Sequence, residues 1–303
     1  TEANIRRFRA YRTSFIEINH KGTPVVSGIM ELLSPSWSAD SREMTLDGRS
    51  TSGALMDLSA EPGEYTAPFN TLAQRIVPEA RTQNGTPRGF PVVSVRANPD
   101  ITDITVQIEP GQSVYEVLSK IAAAHGLWAQ PQSNGSLIFS EVRAGEPVAD
   151  LREETAPLIS IETSHNLTRR FYEYRIIQTT DGDLYTANAI DLGADAGLRA
   201  LKIAEPRQQS DVTKAAKFAR SRGLIDSYDC KATVTGWTVN GRLWNKGDTV
   251  TVYAPSAMIY RSYVFIVRRA TMQLDENGGA VTQLSLSFPQ VYSGQQPVFP
   301  YPW

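Results

Sequence analysis

The chain has 303 residues, 41% of them apolar and 20% charged, with a formal net charge of −2, which allows two or more domains and gives no reason to expect nucleic acid or an anionic membrane as a partner. Its one cysteine, Cys230, excludes an intrachain disulfide framework and any cysteine-rich zinc site, and reads as a small apolar residue beside a strand. No run approaches the ~20 apolar residues of a membrane-spanning helix and no basic-plus-apolar leader opens the chain, so a soluble protein or a part of a soluble assembly is expected.

The chain starts at Thr1 without a methionine, and Arg6-Arg7-Phe8-Arg9 begins a basic stretch that reads as a solvated strand face. Strands are expected over Thr13 to Ile18, Val25 to Leu33 and Arg42 to Leu46, the first two joined at Lys21-Gly22-Thr23-Pro24. Ser50 is placed to cap a short helix carrying Leu55, Met56 and Leu58. Thr66 to Val77 carries Phe69, Leu72, Ala73, Ile76 and Val77 on one helical face, with Pro78 as a stop. Ala80 to Pro91 is a Gly/Pro/Arg loop. Alternation at Ile104, Val106 and Ile108 predicts a strand. Ser113 with Glu116 predicts a capping box on a helix whose core face is Val114, Val117, Leu118 and Ile121, ending before Gly126. Trp128 then opens a hairpin turned at Asn134-Gly135. Together these pieces make a compact αβ unit.

Gly145 to Pro157 is polar and proline-bearing, and reads as a domain junction. Leu158 to Ile161 and Phe171 to Thr179 are expected strands, Thr180 to Gln209 a loop-rich stretch, and Ser210 to Arg222 an Ala-rich helix closed by Gly223. Val212, Ala215, Ala216 and Ala219 give that helix a flat face for close packing on a sheet. Asn240-Gly241 is a strong two-residue hairpin signal, because a type I′ turn needs positive φ at both central residues. It sets Val239 opposite Arg242, Thr238 opposite Leu243 and Trp237 opposite Trp244, an aromatic face that belongs either to a barrel core or to a subunit contact. Strands follow over Thr249 to Tyr253, Tyr263 to Leu274 and Val281 to Phe288. Their order of strand, turn, long strand, linker and strand is also that of Phe15 to Leu46, which suggests an internal duplication.

No constellation of reactive groups emerges. His20, His125 and His165 sit in a turn, at a helix end and in a polar loop. Asp181-Gly182-Asp183 lacks the further oxygen ligands and closing Glu of a calcium loop. Glu153-Glu154, and Asp100 with Asp103, have nothing that places them in a cleft; phosphate loops and nucleophile elbows are absent. The expectation is no catalytic, cofactor-binding or metal site, and work done by surfaces.

Two resemblances bear on which surfaces. Glu109 to Leu118, running to Gly126, resembles the first half of a LysM-type peptidoglycan-binding motif, though Trp128 leads into a strand where that motif has a second helix. Ala39 to Asp57, with its Gly48-Arg49 before a helix, resembles a signature near the start of Mu-type phage baseplate hub proteins. Ser113 to Gly126 with Gly135 to Ser140 resembles the second domain of those hubs, and Gly236-Trp237, Gly241-Arg242-Leu243-Trp244 and Ser287-Phe288-Pro289 resemble their last barrel. The hub resemblance runs over most of the chain in the right order.

It implies a mainly β protein of two similar antiparallel β-barrels plus two smaller αβ domains. Carried over, residues 1–62 are the first barrel, without the strand hairpin that the family has before the position of Arg9. Residues 63–150 are the αβ domain, 151–180 and 228–292 the second barrel, and 181–227 a small inserted domain with the Ala-rich helix. Residues 293–303 form an extended arm whose prolines exclude helix and strand and whose Phe299, Tyr301 and Trp303 are offered to a neighbour. The implied role is a homotrimeric hub in the tail baseplate of a virion assembled in the host cytoplasm, with pseudo-six-fold symmetry that joins a three-fold central spike to a six-fold tail tube. Tape measure and neighbouring baseplate proteins are further implied partners, with no sequence-specific nucleic acid and no membrane anchor. The alternative is a LysM-like cell-wall binding module.

Overall fold

The computed structural model describes residues 14–20, 22–76, 94–102, 104–141, 144–180, 183–194, 197, 200–204, 212–275 and 279–293. Its contacts divide the chain into Thr1–Glu141 and Val142–Trp303. Both units are built mostly from antiparallel strands.

In the first unit, β1 (Ser14–His20), β2 (Thr23–Trp37) and β3 (Arg42–Ser50) form a meander in that order, turned first at Gly22 with φ 81°. β1 meets β2 from Ser14↔Met30 to His20↔Thr23 with an irregularity after Ile18. β2 meets β3 from Gly28↔Ser50 to Trp37↔Arg42, and Glu31 bulges out between the pairs of Met30 and Leu32. A bulge adds one residue to one strand and sharpens its bend. Gly28 and Gly48 sit where the bent strands press together, because a Cβ on either would overlap the Arg49 or Ile29 carbonyl oxygen across the ladder. The next turn differs from expectation. Thr51–Met56 is a 3-10 turn and not a capped α-helix; Ser50 makes no cap bond, and its hydroxyl lies 2.9 Å from that of Ser52.

The rest of this unit packs around Leu55, Phe69, Leu72, Ile108, Leu118 and Phe139, with the Phe69 and Phe139 rings 5.3 Å apart at 67°. β4 (Gly63–Ala67) precedes α1 (Phe69–Ile76), so Thr66 belongs to a strand and not to the expected helix. β4 pairs with β6 (Ile104–Ile108), and β5 (Val95–Asn98) runs parallel to a strand further on. α2 (Val114–Ala124) is capped as predicted: Ser113 Oγ accepts from Glu116 N at 3.1 Å, and the Glu116 carboxylate reaches Lys120 at 2.7 Å. β7 (Leu127–Pro131) and β8 (Leu137–Glu141) complete the unit, β8 being the parallel partner of β5. Their turn presses on the meander, since a Cβ on Gly135 would overlap Thr51 Oγ1.

The second unit opens with an edge strand where a junction was expected. β9 (Ala149–Arg152) contains Ala149 and Asp150, assigned above to the αβ domain, and they pair in parallel with a strand a hundred residues on. β10 (Leu158–His165) follows. β11 (Glu173–Thr180) corrects the expected boundary at Thr180: it pairs not with the large sheet but with β12 (Asp183–Ile190) and, in parallel, with β13 (Leu201–Ala204). The supposed loop-rich stretch therefore holds two strands. α3 (Val212–Ser227) lays Ala215 and Ala216 on Ile176 and Ala189, as the small-residue face predicted. It does not stop at Gly223. Gly223 is a point of contact inside the helix, where a Cβ would overlap the Tyr174 hydroxyl. Arg170 and the fully buried Asp191 clip this small sheet through bonds of 2.6 and 2.8 Å, and Gly193 N adds a third donor to Asp191 at 3.0 Å.

β14 (Tyr228–Thr235), the short β15 (Thr238–Val239) and β16 (Arg242–Leu243), β17 (Thr249–Ala254), β18 (Ile259–Asp275) and β19 (Gly279–Ser287) follow. The large sheet has the order β10-β14-β19-β18-β17-β9 and curls over a core of Leu151, Cys230, Val252, Phe265, Leu284 and Leu286. Among the described residues β10 and β9 are its ends, so over these residues the sheet is a curled half-barrel, and the first meander is likewise open.

Candidate assembly surfaces

Several groups that could do chemistry have structural surroundings. Cys230 is buried, and burial pushes its thiol up to about 12, which keeps it protonated and inert. Burial lowers the pKa of His165, whose ring lies 5.1 Å from that of Tyr228. Glu153 accepts from Ser256 N, and Asp100 from Asn70 N, so both carboxylates hold turns. Asp183 opens β12, while Asp181, Gly182 and Asp103 lie outside the described residues. No cluster of three metal-ligating side chains occurs among the described residues. The LysM-like helix α2 is followed by the β7–β8 hairpin, so its second half does not take that motif's form.

The hairpin at Asn240-Gly241 has both residues at positive φ, 49° and 78°, and the expected pairs Thr238↔Leu243 and Val239↔Arg242. Trp244 N donates to the Trp237 carbonyl at 3.1 Å, but the two side chains do different work. Trp244 is buried in the core of the large sheet. Trp237 is half-buried, and its Nε1 donates to the Gln273 carbonyl at 2.9 Å, closing over the far end of β18. Both are engaged within the second unit, Trp244 in its core and Trp237 at the end of β18. Phe299, Tyr301 and Trp303 lie outside the described residues.

The apolar surface that sequence reasoning missed is on the first meander. β1–β2–β3 and β17–β18–β19 are the same construction, each a short strand, a long one of fifteen or seventeen residues, and a third of nine. Ile18↔Val26 and Val252↔Tyr263 are the last pairs before the first irregularity in each copy. Met30↔Gly48 and Val267↔Leu286 are the pairs at the second, where Glu31 and Arg268 bulge. A 3-10 turn begins at Thr51 in one copy and at Pro289 in the other. In the second copy, Val252, Thr282 and Leu284 are fully buried. Their counterparts Ile18, Met44 and Leu46 are 50%, 52% and 44% exposed, and Trp37, further along the same face, is 74% exposed.

Known proteins share this fold. The baseplate hub protein gp44 of Escherichia phage Mu is 23% identical over 283 residues, covering 88% of this chain and 73% of that protein. In sequence the chain thus resembles a Mu-type baseplate hub. The same fold occurs in the 43 kDa tail protein of prophage MuSo2 from Shewanella oneidensis, with TM-score 0.77 and 18% identity over 94% of this chain and 86% of that one. It occurs again in a tail protein from Neisseria meningitidis, with TM-score 0.76 and 22% identity over 95% and 86%. No family model matches the chain.

Proposed function

We propose that this chain is a structural hub of a contractile phage tail baseplate, in which three copies close a ring and each contributes two similar β-barrels. Six barrel positions would then face a six-fold tail tube on one side while the three-fold ring holds the central spike on the other. The observation that carries this reading is the duplicated meander within one chain, bulge for bulge, because a trimer gains pseudo-six-fold symmetry only if each subunit presents the same element twice. The relationship to the Mu hub supports placement in the virion's tail baseplate, and the structural identities of the groups described above support a non-enzymatic role. Phe299, Tyr301 and Trp303 are candidates for an extended arm on a neighbouring baseplate protein or the tape measure.

The test is the absolute mass of the purified chain across a concentration series, alone and with the candidate spike. A mass of three chains, or a three-to-three complex with the spike, is expected. A monomer under both conditions overturns the ring. Sedimentation with isolated cell walls would favour the LysM-like reading instead.

A further inference from the structure

In both meanders the long strand runs on past its bulge as one side of a hairpin, and the two hairpins end alike. Beyond Glu31 the ladder of β2 and β3 continues through six pairs, from Leu32↔Asp47 to Trp37↔Arg42. Beyond Arg268 the ladder of β18 and β19 takes the same six steps, from Arg269↔Ser285 to Leu274↔Ala280, before a last pair at Asp275↔Gly279. Trp37 and Leu274 are therefore equivalent positions. They are 74% and 72% exposed, and among the described large apolar side chains only Leu192 is more so.

This likeness at the tips contrasts with the rest of the two faces. Met44 and Leu46 are exposed, whereas Thr282 and Leu284 are buried beneath the cover that β14 gives the second copy. That cover stops one pair short of the tip. The last partner of β14 is Val281, through Thr235; Gly236 then donates to the Ala280 carbonyl at 2.8 Å and has no side chain to lay over Leu274. Trp237 closes on the Gln273 carbonyl and still leaves Leu274 bare. Exposure at the tip is thus a feature of the covered copy as well, and does not follow from a missing strand. A single exposed apolar residue needs no explanation, but the same position left bare in both copies of a duplicated element does.

We propose that Trp37 and Leu274 are the two anchors by which each chain holds a six-fold partner, each entering one of two equivalent apolar pockets. This rests on the ring reading above and assigns the tube-facing contact of that ring to the hairpin tips. Symmetry sets the stoichiometry. Three chains carry six tips, so a tube ring with one pocket per subunit engages all of them, whereas a three-fold partner repeats each pocket once per chain and leaves the second tip without an equivalent site. The pocket has to be apolar and wide enough for an indole. The larger aromatic surface makes Trp37 the stronger anchor of the two.

The first tip is built to hold its anchor still. Ser38 N donates to the Ser41 carbonyl at 2.8 Å, Ser41 N donates to Ser38 Oγ at 3.1 Å, and the two hydroxyls lie 2.9 Å apart, which closes a tight turn directly after Trp37. Order present before docking lowers the entropy lost on docking. Each anchor also lies about 20 Å of extended strand beyond its bulge, which places it at the end of its hairpin.

The experiment compares the full chain with Trp37→Ser, Leu274→Ser, the double variant and a Leu192→Ser control, each with the candidate spike present. Mass in solution reads the ring, and co-sedimentation with assembled tubes of the candidate tube protein reads the contact. All variants should keep the wild-type mass, because the side chains replaced are exposed. Each tip substitution, repeated three times in the ring, should weaken tube capture at least about tenfold and the double at least about a hundredfold, with Leu192→Ser unchanged. Hydroxyl-radical oxidation of Trp37 and Leu274 in the wild type should fall at least about fivefold when tubes are added, as for anchors that become fully covered. Undiminished capture by the double variant, a loss from only one of the two tips, an equal loss from Leu192→Ser, or a mass altered by the tip substitutions would overturn the proposal. The two readings fail separately: a wild-type trimer that binds tubes whatever its tips overturns the tip assignment alone, while a wild-type chain that stays monomeric overturns the ring and this contact with it.

Discussion

The two meanders are one design put to different uses. In the second, Phe265 and Leu286 fill the positions that Gly28 and Gly48 hold in the first, and the surrounding strands bury them completely. In the first, the two glycines let the strands press together, and the apolar side chains beyond the bulge stay partly exposed. The same backbone path can thus be stabilised by a covered core or by close backbone approach with a face left for another element. The difference lies in what covers the face, not in the strands themselves.

The largest effect that would sharpen this contrast is a matched truncation. Leu284→Ala removes a fully buried side chain from the second core and should cost about 2–5 kcal/mol in urea unfolding. Leu46→Ala, its counterpart, removes one that is 44% exposed and should cost on the order of 1 kcal/mol or less. Equal losses would break the claim that the two faces differ in cover.

Next in size are the glycines. Gly48→Ala places a methyl group against the Ile29 carbonyl, and Gly28→Ala one against that of Arg49, where no side-chain rotation relieves the clash. Each should lower stability by about 1–3 kcal/mol. Leu286→Val, at the position matching Gly48, should cost no more than about 1 kcal/mol, because it only trims a packed side chain. A neutral Gly48→Ala would mean that β2 and β3 can separate freely.

How far the sequence could be read follows the same division. The hairpin at Asn240-Gly241, the cap at Ser113 and the Ala-rich face of α3 were legible because each is fixed by a few adjacent residues. The membership of β11 was not, since its partners β12 and β13 are decided by tertiary pairing and the chain around Asp181 has turn-like composition. Gly223 misled for a related reason: a glycine that admits Tyr174 into a helix surface reads as a stop until the tyrosine is in view. β9 was hidden in polar sequence because an edge strand needs only one apolar residue inward, here Leu151. As for the candidate surface, Trp237 and Trp244 drew notice as aromatics, whereas Ile18, Met44 and Leu46 read as ordinary strand interior. Only comparison with the buried counterparts marks them as a face in need of cover.

A smaller effect concerns the bulges. Arg268 occupies in the second copy the place of Glu31, and it disfavours the charged form of Lys246; burial first and Arg268 second push that lysine down to about 8. With the folded pKa depressed, the unfolded chain binds more protons between about pH 8 and the ordinary lysine range, so this group makes stability rise with pH across that window. Tyr292 and Cys230, whose pKa values are raised, act in the opposite sense but are common to both proteins when wild type is compared with Lys246→Met. The difference in unfolding free energy should change by on the order of 1 kcal/mol between pH 7.5 and 9.5, in favour of the variant at the lower pH. No change would remove the half-buried Lys246 from the account.

The weakest effect belongs to the first bulge, where Arg49 joins Glu31 to Asp57 and so lashes the 3-10 turn to the bent strand. All three side chains are substantially exposed, and exposed pairs of this kind contribute little because water and salt screen them. Their hydrogen bond holds Glu31 below the usual glutamate range. A depressed carboxylate pKa contributes stability that is present above that usual range and disappears as pH falls through the folded value. Arg49→Gln should therefore lower Tm slightly near neutral pH and low salt, and the gap between variant and wild type should close on acidification and in concentrated salt. A gap that persisted in both conditions would mean that Arg49 acts through packing on Gly53, whose Cβ position touches the Arg49 stem, rather than through charge.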